Sequence, residues 1–102
     1  MPSHYLLNGR LTILKQREDS VKDATAVSLS ALGWILSDTT RAQRFLDLTG
    51  LDPDGLRAAI GETATHRAVL EFLCAHEPDL VAAAEALGLQ PADLAAIRER
   101  LS

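Results

Sequence analysis

Apolar residues recur at helical spacing along most of the chain. From Asp19 onward, leucine, isoleucine, valine and alanine stand three or four positions apart, which is the spacing of one buried helix face. Polar caps, prolines and glycines divide this pattern into six predicted helices: about 20–36, 39–49, 53–60, 64–76, 78–87 and 91–101. Because only a few residues separate them, the helices are expected to pack as a compact antiparallel or orthogonal bundle.

The first predicted helix has almost no charge after Asp23. Its expected buried stripe consists of Val21, Thr25, Ser28, Leu29, Leu32, Ile35 and Leu36. A helix with so few charged residues is expected to lie centrally, with neighbours on several sides.

The other predicted helices carry typical capping residues. Asp38 precedes the second helix and Asp52 the third, where a side-chain oxygen can accept a hydrogen bond from the first turn. Gly50 follows the second helix, and glycine adopts the left-handed conformation there without strain. Prolines are expected to open the third, fifth and sixth helices: Pro53, Pro78 and Pro91.

One seven-residue frame, G-L-x-P-x-x-L, occurs twice at a separation of 38 residues. The first copy runs from Gly50 to Leu56 and the second from Gly88 to Leu94. In each copy, glycine ends a helix, the next leucine fills the corner and proline starts another helix. An economical helical corner accounts for the frame, and two copies are too few for a solenoid.

The first eighteen residues differ from the rest of the chain. Asn8-Gly9 separates two short apolar runs, a pattern typical of a β-hairpin. A lone hairpin is marginal in water, so a mobile tail or a helical lead-in from Leu11 are the alternatives. We therefore predict two regions, a flexible or loosely docked segment 1–18 and a helical domain 19–102.

Composition supports one helical domain without metal or disulfide. Alanine and leucine account for 34 of the 102 residues, and both are strong helix formers. No apolar run is long enough to cross a membrane. The single cysteine, Cys74, excludes an internal disulfide framework, so the cytoplasm is the expected location.

Charge is unevenly distributed along the chain. Residues 1–17 contain three basic side chains and no acidic one, whereas residues 18–102 contain seven basic and fourteen acidic side chains. An acidic body repels phosphate backbones, so a role with nucleic acid would depend on the N-terminal segment.

No cluster of residues has the spacing of a catalytic, cofactor or metal site. His66, Cys74 and His76 share a predicted helix, but their offsets of eight and two point them in different directions. Cys74 is expected to be a small buried hydrophobe, and His76 a cation near a helix C-terminus. Acidic residues flank the prolines at helix starts, where they complement the helix dipole. We expect no enzyme, no cofactor and no metal.

Two further features have a functional reading. The second corner has the residue spacing of a DNA-binding helix-turn-helix. Alanines and carboxylates are expected to dominate the outward side of its second helix, and this composition argues against recognition of bases in a DNA groove. Trp34 and Phe45 are the candidate partner contacts, because large aromatic residues are enriched at binding hot spots. The alternative is that both aromatic side chains fill the core of a small bundle.

Three segments together resemble a small alphaproteobacterial family known as domain of unknown function 3572. They are Ala31–Leu36, Arg44–Pro53 and Val69–Leu73, and the resemblance covers about residues 20–98. Thr65-His66 replaces residues that are usually bulky and apolar in the family, which leaves the packing there open. Residues 1–18 have no counterpart. The resemblance implies an all-helical bacterial protein and brings no activity or ligand.

The sequence therefore predicts a small helical protein that acts by binding an unknown protein partner or a second copy of itself. The alternative is a nucleic-acid-associated regulator that uses the two corners and the basic N-terminal segment. No membrane association is expected.

Overall fold

Six helices make up the computed structural model, which describes residues 23–101. They are α1 (Asp23–Leu36), α2 (Thr39–Thr49), α3 (Pro53–Ala59), α4 (Thr63–Cys74), α5 (Glu77–Leu87) and α6 (Pro91–Arg100). The all-helical bundle predicted from the sequence is confirmed. The predicted hairpin, tail or helical lead-in over 1–18 lies outside the described residues.

A single core joins all six helices. α4 packs against both α5 and α6, and its Val69, Leu70 and Leu73 are fully buried. The remaining apolar core residues are Phe72 of α4 and residues of the other helices and of the turn after α6: Ala24, Ala31, Leu32, Ile35, Phe45, Leu56, Ala83, Ala84, Leu94, Ile97 and Leu101. Leucine-rich and alanine-rich faces thus close around α4 without a disulfide.

The buried face of α1 differs from the predicted stripe. Ser28, Leu32 and Ile35 are buried as expected, but Leu29 and Leu36 are exposed. Ala24 and Ala31 take their places in the core, and the hydroxyl of Ser28 donates a 2.7 Å hydrogen bond to the carbonyl of Ala24. Since Leu29 and Leu36 are exposed, α1 is not surrounded on all sides by described residues. The alanine side of α1 faces the core, because its small side chains allow a closer approach than leucine side chains would.

The junction of α4 and α5 also differs from the prediction. α4 ends at Cys74, two residues earlier than expected, and α5 begins at Glu77, one residue before Pro78. His76 is thus the N-cap of α5, and its Nδ1 lies 3.1 Å from a carboxylate oxygen of Asp79. Cys74 is half-buried rather than fully buried.

Both G-L-x-P-x-x-L segments form the predicted corners. Gly50 and Gly88 have φ angles of 73° and 71°, and no other described residue has a positive φ. The following Leu51 and Leu89 are half-buried, whereas Leu56 and Leu94 at the ends of the frame are buried. The repeated sequence therefore produces a repeated backbone.

The two corners restart their helices with different caps. In the first, the Asp52 carboxylate accepts a 2.6 Å hydrogen bond from the backbone N–H of Gly55. In the second, the backbone N–H of Gln90 donates to the carboxylate of Asp93 at 2.9 Å. A Cβ on Gly55 would lie 3.0 Å from the cap oxygen of Asp52, so glycine suits this close approach.

Thr65 and His66, the polar pair whose packing the sequence left open, are both buried at the start of α4. The Nε2 of His66 lies 2.8 Å from the carbonyl oxygen of Ile60, at the end of α3. A hydrogen bond to a helix-end carbonyl satisfies this buried polar ring, so the polar pair packs without disrupting the helix start.

No single described helix is long and apolar enough to span a membrane.

Candidate interaction surface

A groove runs between α2 and the length of α4, from the first turn of α4 to its C-cap residue Ala75. It consists of two adjoining depressions of about 340 Å³ and 220 Å³, which share Phe45, Leu48, Thr49 and Ala68. Both depressions are lined mainly by apolar side chains. The groove is the candidate functional site because a large apolar side chain stands exposed beside it.

That side chain is Leu48, which is 73% exposed near the end of α2. It lines both depressions, so it stands between them rather than away from the groove. Single exposed leucines are common on proteins, but an exposed leucine that borders an apolar depression is typical of a binding surface.

The floor of the groove is aromatic. Phe45 is fully buried and packs edge-on against Phe72, with ring centroids 5.4 Å apart and an interplanar angle of 85°. This geometry suits the charge distribution of two aromatic rings and holds the floor in place. Phe45, predicted as a partner contact, therefore belongs to the core: its side chain supports the groove and has no exposed surface.

Small side chains of α4 line the groove opposite Leu48. Ala64, Ala68 and Ala75 stand at helical spacing on the side of α4 that faces α2. Ala64 and Ala75 are exposed and Ala68 is half-buried. The side chains on this face of α4 are therefore short, so another polypeptide could approach the backbone of α4 closely.

The two charged residues that line the groove are both acidic. Glu62 lines the larger depression and Glu71 the smaller one. Glu62 is the N-cap residue of α4, but its side chain makes no capping hydrogen bond. Both side chains are exposed, and neither forms an ion pair with another described residue.

A basic side chain beside the groove, Arg44, is already engaged in contacts within the fold. The guanidinium of Arg44 pairs with the carboxylate of Asp79 and lies 5.0 Å from the centre of the Phe72 ring. This interaction joins α2 to the start of α5 across the end of the groove. The positive charge of Arg44 is therefore partly neutralised within the fold.

The family of the chain follows from its sequence. The model of DUF3572, a protein family of unknown function, matches residues 21–102. The chain belongs to the DUF3572 family. The match includes both corners and all residues that line the groove. No curated protein and no solved structure is significantly similar to the chain.

The two corners of this DUF3572 domain differ at the position of Leu48. Two residues before Gly50 stands Leu48, and two residues before Gly88 stands Ala86. Both side chains are exposed at the same point of the same backbone frame. The corner in α5 forms with alanine there, so the corner itself does not require an exposed leucine.

Trp34, the other predicted partner contact, lies on α1 away from the residues that line the groove. It is half-buried and packs against the core. The guanidinium of Arg41 covers its ring at 3.5 Å and donates a hydrogen bond to its backbone carbonyl. The structure therefore does not bring Trp34 into the groove, and Arg41 occupies one side of its ring.

The residues with candidate chemistry do not converge. Across residues 23–101, no group of three histidine, cysteine, aspartate or glutamate side chains is placed to hold a metal ion. His66 is buried against Ile60, whereas His76 contacts Asp79 at the start of α5. These side chains are explained by packing and capping contacts.

Leu48 is not among the candidate residues predicted from the sequence, which are Trp34 and Phe45. A signal was nevertheless present in the repeated frame, since the two corners carry leucine and alanine at the equivalent exposed position.

Proposed function

We propose that this protein is a non-enzymatic interaction module whose groove between α2 and α4 binds an apolar segment of a partner protein. The observation that supports the proposal is the 73% exposure of Leu48 beside two adjoining apolar depressions. Burying one leucine side chain contributes about 1.5–3 kcal/mol, so this residue is a natural anchor for a partner.

The equivalent corner argues against a purely structural explanation of Leu48. Ala86 occupies the same exposed position before Gly88, which has nearly the same φ angle as Gly50. A corner of this kind therefore forms without a leucine at that position, and a contact with a partner accounts for a leucine exposed next to a groove.

The lining of the groove favours binding over catalysis. Apart from two threonines and two glutamates, the side chains that line it are apolar. The hydroxyl of Thr49 already bonds the carbonyl of Phe45 at 3.0 Å. Such a surface suits contact between proteins, because a catalytic site needs a nucleophile or an acid–base pair aimed at one point. The single cysteine, which allows no internal disulfide framework, supports a location in the bacterial cytoplasm.

Site-specific photo-cross-linking in cells tests the proposal. A photoreactive residue at Ala64 faces the groove, and the same residue at Ala86 is the control on the other corner. We expect a discrete cross-linked product from Ala64 that Leu48→Asp removes and Ala86→Asp retains. The partner is then purified, and its affinity for the wild-type protein is compared with its affinity for Leu48→Asp.

The expected affinity loss for Leu48→Asp is at least about 30-fold, the size of a hot-spot residue. Circular dichroism must show that this variant melts like the wild type. A cross-linked dimer of the chain, with matching sedimentation data, would identify the partner as a second copy. Products that do not depend on Leu48, or an unchanged affinity, would contradict the proposal.

A second candidate is nucleic-acid binding through the corner between α5 and α6. The geometry in its favour is the bend of 98° between these helices, which lies within the range of helix-turn-helix motifs. Against it, Ala92, Ala95 and Ala96 are exposed on α6, together with Asp93 and Glu99. Alanine offers no hydrogen bond to a base edge, and carboxylates repel phosphates.

A gel shift at low salt separates this candidate from the first. Nucleic-acid binding predicts a shift for the full chain that weakens when Arg10, Lys15 and Arg17 are replaced by glutamine. The absence of a shift in the full chain would exclude this candidate and leave protein binding.

A further inference from the structure

The chemistry of the partner can be read from the charges that line the groove. We infer that the groove takes an amphipathic α-helix with lysine or arginine at both ends of its apolar face. This inference rests on the proposed function and specifies what the groove selects. It follows from three features: the form of the groove, the short side chains of α4 that line it, and one glutamate in each of its two depressions.

The form of the groove favours a helix over a strand. The stripe begins at Ala64 in the first turn of α4 and ends at Ala75, the C-cap residue, eleven positions later; this separation is about 17 Å, the length of about three helical turns. An added strand would need a sheet edge to satisfy its backbone, and residues 23–101 contain no strand. A helix satisfies its own backbone and needs only an apolar surface.

Close approach is possible because the α4 side of the groove is built from alanines. A partner helix could lower its apolar residues onto Ala64, Ala68 and Ala75 while Leu48 packs against its flank. Interaxial distances between helices shorten when the side chains at the contact are small. Leu48 would then be buried between α2 and the partner.

Each depression of the groove has one acidic side chain, and together the two glutamates select basic flanks. Glu62 and Glu71 are nine residues apart in the sequence, or about 14 Å along α4. Lysine or arginine residues seven to eleven positions apart on one helix face span a comparable distance. Since the cation of Arg44 is paired with Asp79, no unpaired cation of the groove opposes them.

Titration of the full chain with designed peptides tests this inference. Three short helical peptides share one leucine and alanine face and carry lysine, glutamine or glutamate at the flanking positions. We expect the lysine peptide to shift the amide resonances of Leu48, Ala68 and Glu71. It should bind about tenfold more tightly than the glutamine peptide at low salt, and this advantage should shrink at high salt.

Charge reversal supplies the matched control. In the double variant Glu62→Lys and Glu71→Lys, the preference should change from the lysine to the glutamate peptide. The double variant Glu85→Lys and Glu99→Lys alters net charge equally on exposed positions outside the groove and should keep the preference for lysine. Leu48→Asp should weaken all three peptides.

The outcomes separate this inference from the proposed function. Equal binding of all three peptides at Leu48 would overturn the selection for basic helices and leave the groove as a docking site. If no peptide perturbs Leu48 or Ala68, both this inference and the proposed function are contradicted.

Two other occupants of the groove would also overturn the inference. A second copy of the chain would be shown by a dimer that Leu48→Asp dissociates. The chain's own basic segment would be shown by shifts of the Leu48 resonance when the charges of Arg10, Lys15 and Arg17 are reversed.

Discussion

The corner between α2 and α3 and the corner between α5 and α6 share one sequence frame but present different side chains to solvent. In both, a left-handed glycine ends the first helix and a buried leucine closes the frame. The first corner exposes Leu48, whereas the second exposes Ala86 at the equivalent position. The shared residues are those that the backbone and the core require. Under the proposed function, the difference at Leu48 reflects a contact with a partner.

The core positions of the two corners also differ, and they give the largest predicted effect. Phe45 in the first corner corresponds to Ala83 in the second, and both are fully buried. We predict that Phe45→Ala lowers the free energy of unfolding by about 3–5 kcal/mol, because it leaves a cavity beside Phe72. Urea denaturation followed by circular dichroism measures the loss, and a change below about 1 kcal/mol would show that the floor of the groove can collapse.

Substitution of the corner glycines tests whether the left-handed backbone conformation contributes equally to stability in the two corners. Gly50→Ala and Gly88→Ala should each cost about 1–2 kcal/mol, because alanine is strained at a positive φ even where no atom obstructs its Cβ. Gly33→Ala is the control inside α1, where open space and a negative φ predict a gain of about 0.5–1 kcal/mol. Clearly unequal losses at Gly50 and Gly88 would contradict the equivalence.

The helix caps also differ between the two corners, and substitutions in them are predicted to change the stability by a smaller amount. Asp52→Ala removes the acceptor of the Gly55 N–H and should cost about 1 kcal/mol in thermal unfolding. Asp54→Ala, in the same turn but highly exposed, should change stability by less than about 0.5 kcal/mol. An equal loss for both variants would show that negative charge near the helix start, rather than the cap hydrogen bond, is responsible.

The smallest predicted change concerns the exposed position itself. Leu48→Ala and Ala86→Leu exchange the side chains of the two corners, and each should alter stability by less than about 0.5 kcal/mol. Fluorescence of Trp34 during urea denaturation is a suitable measurement, since the chain contains one tryptophan. A loss above about 1 kcal/mol for Leu48→Ala would mean that Leu48 stabilises the domain and would remove the main support for the groove as a binding site.

Much of the fold was predictable because its signals are local. Asp38 and Asp52 cap helices through their own first turns, and Gly50 and Gly88 end helices through their own backbone angles. These interactions join residues no more than a few positions apart, so the sequence contains all the information they need. The bounds of α2 follow directly from Asp38 and Gly50.

The site was less predictable because it depends on neighbours that are distant in the sequence. Phe45 was a candidate contact, yet it packs against Phe72 of α4 and is buried. The side of Trp34 that Arg41 covers depends on how α1 and α2 meet. Burial of an aromatic residue on an amphipathic helix is decided by the helix that packs on it.

The sequence by itself determined the six helices found in residues 23–101, the caps of α2 and α3, and the two corners. It also determined that a Leu48 and an Ala86 stand at equivalent positions. Only the tertiary structure decided that α1 buries Ala24 and Ala31 rather than Leu29 and Leu36, and that Leu48 borders a groove over Phe45. The physical reason is that helical spacing defines which residues share a face, whereas the rotation of a helix with several apolar faces is chosen by the packing of its neighbours.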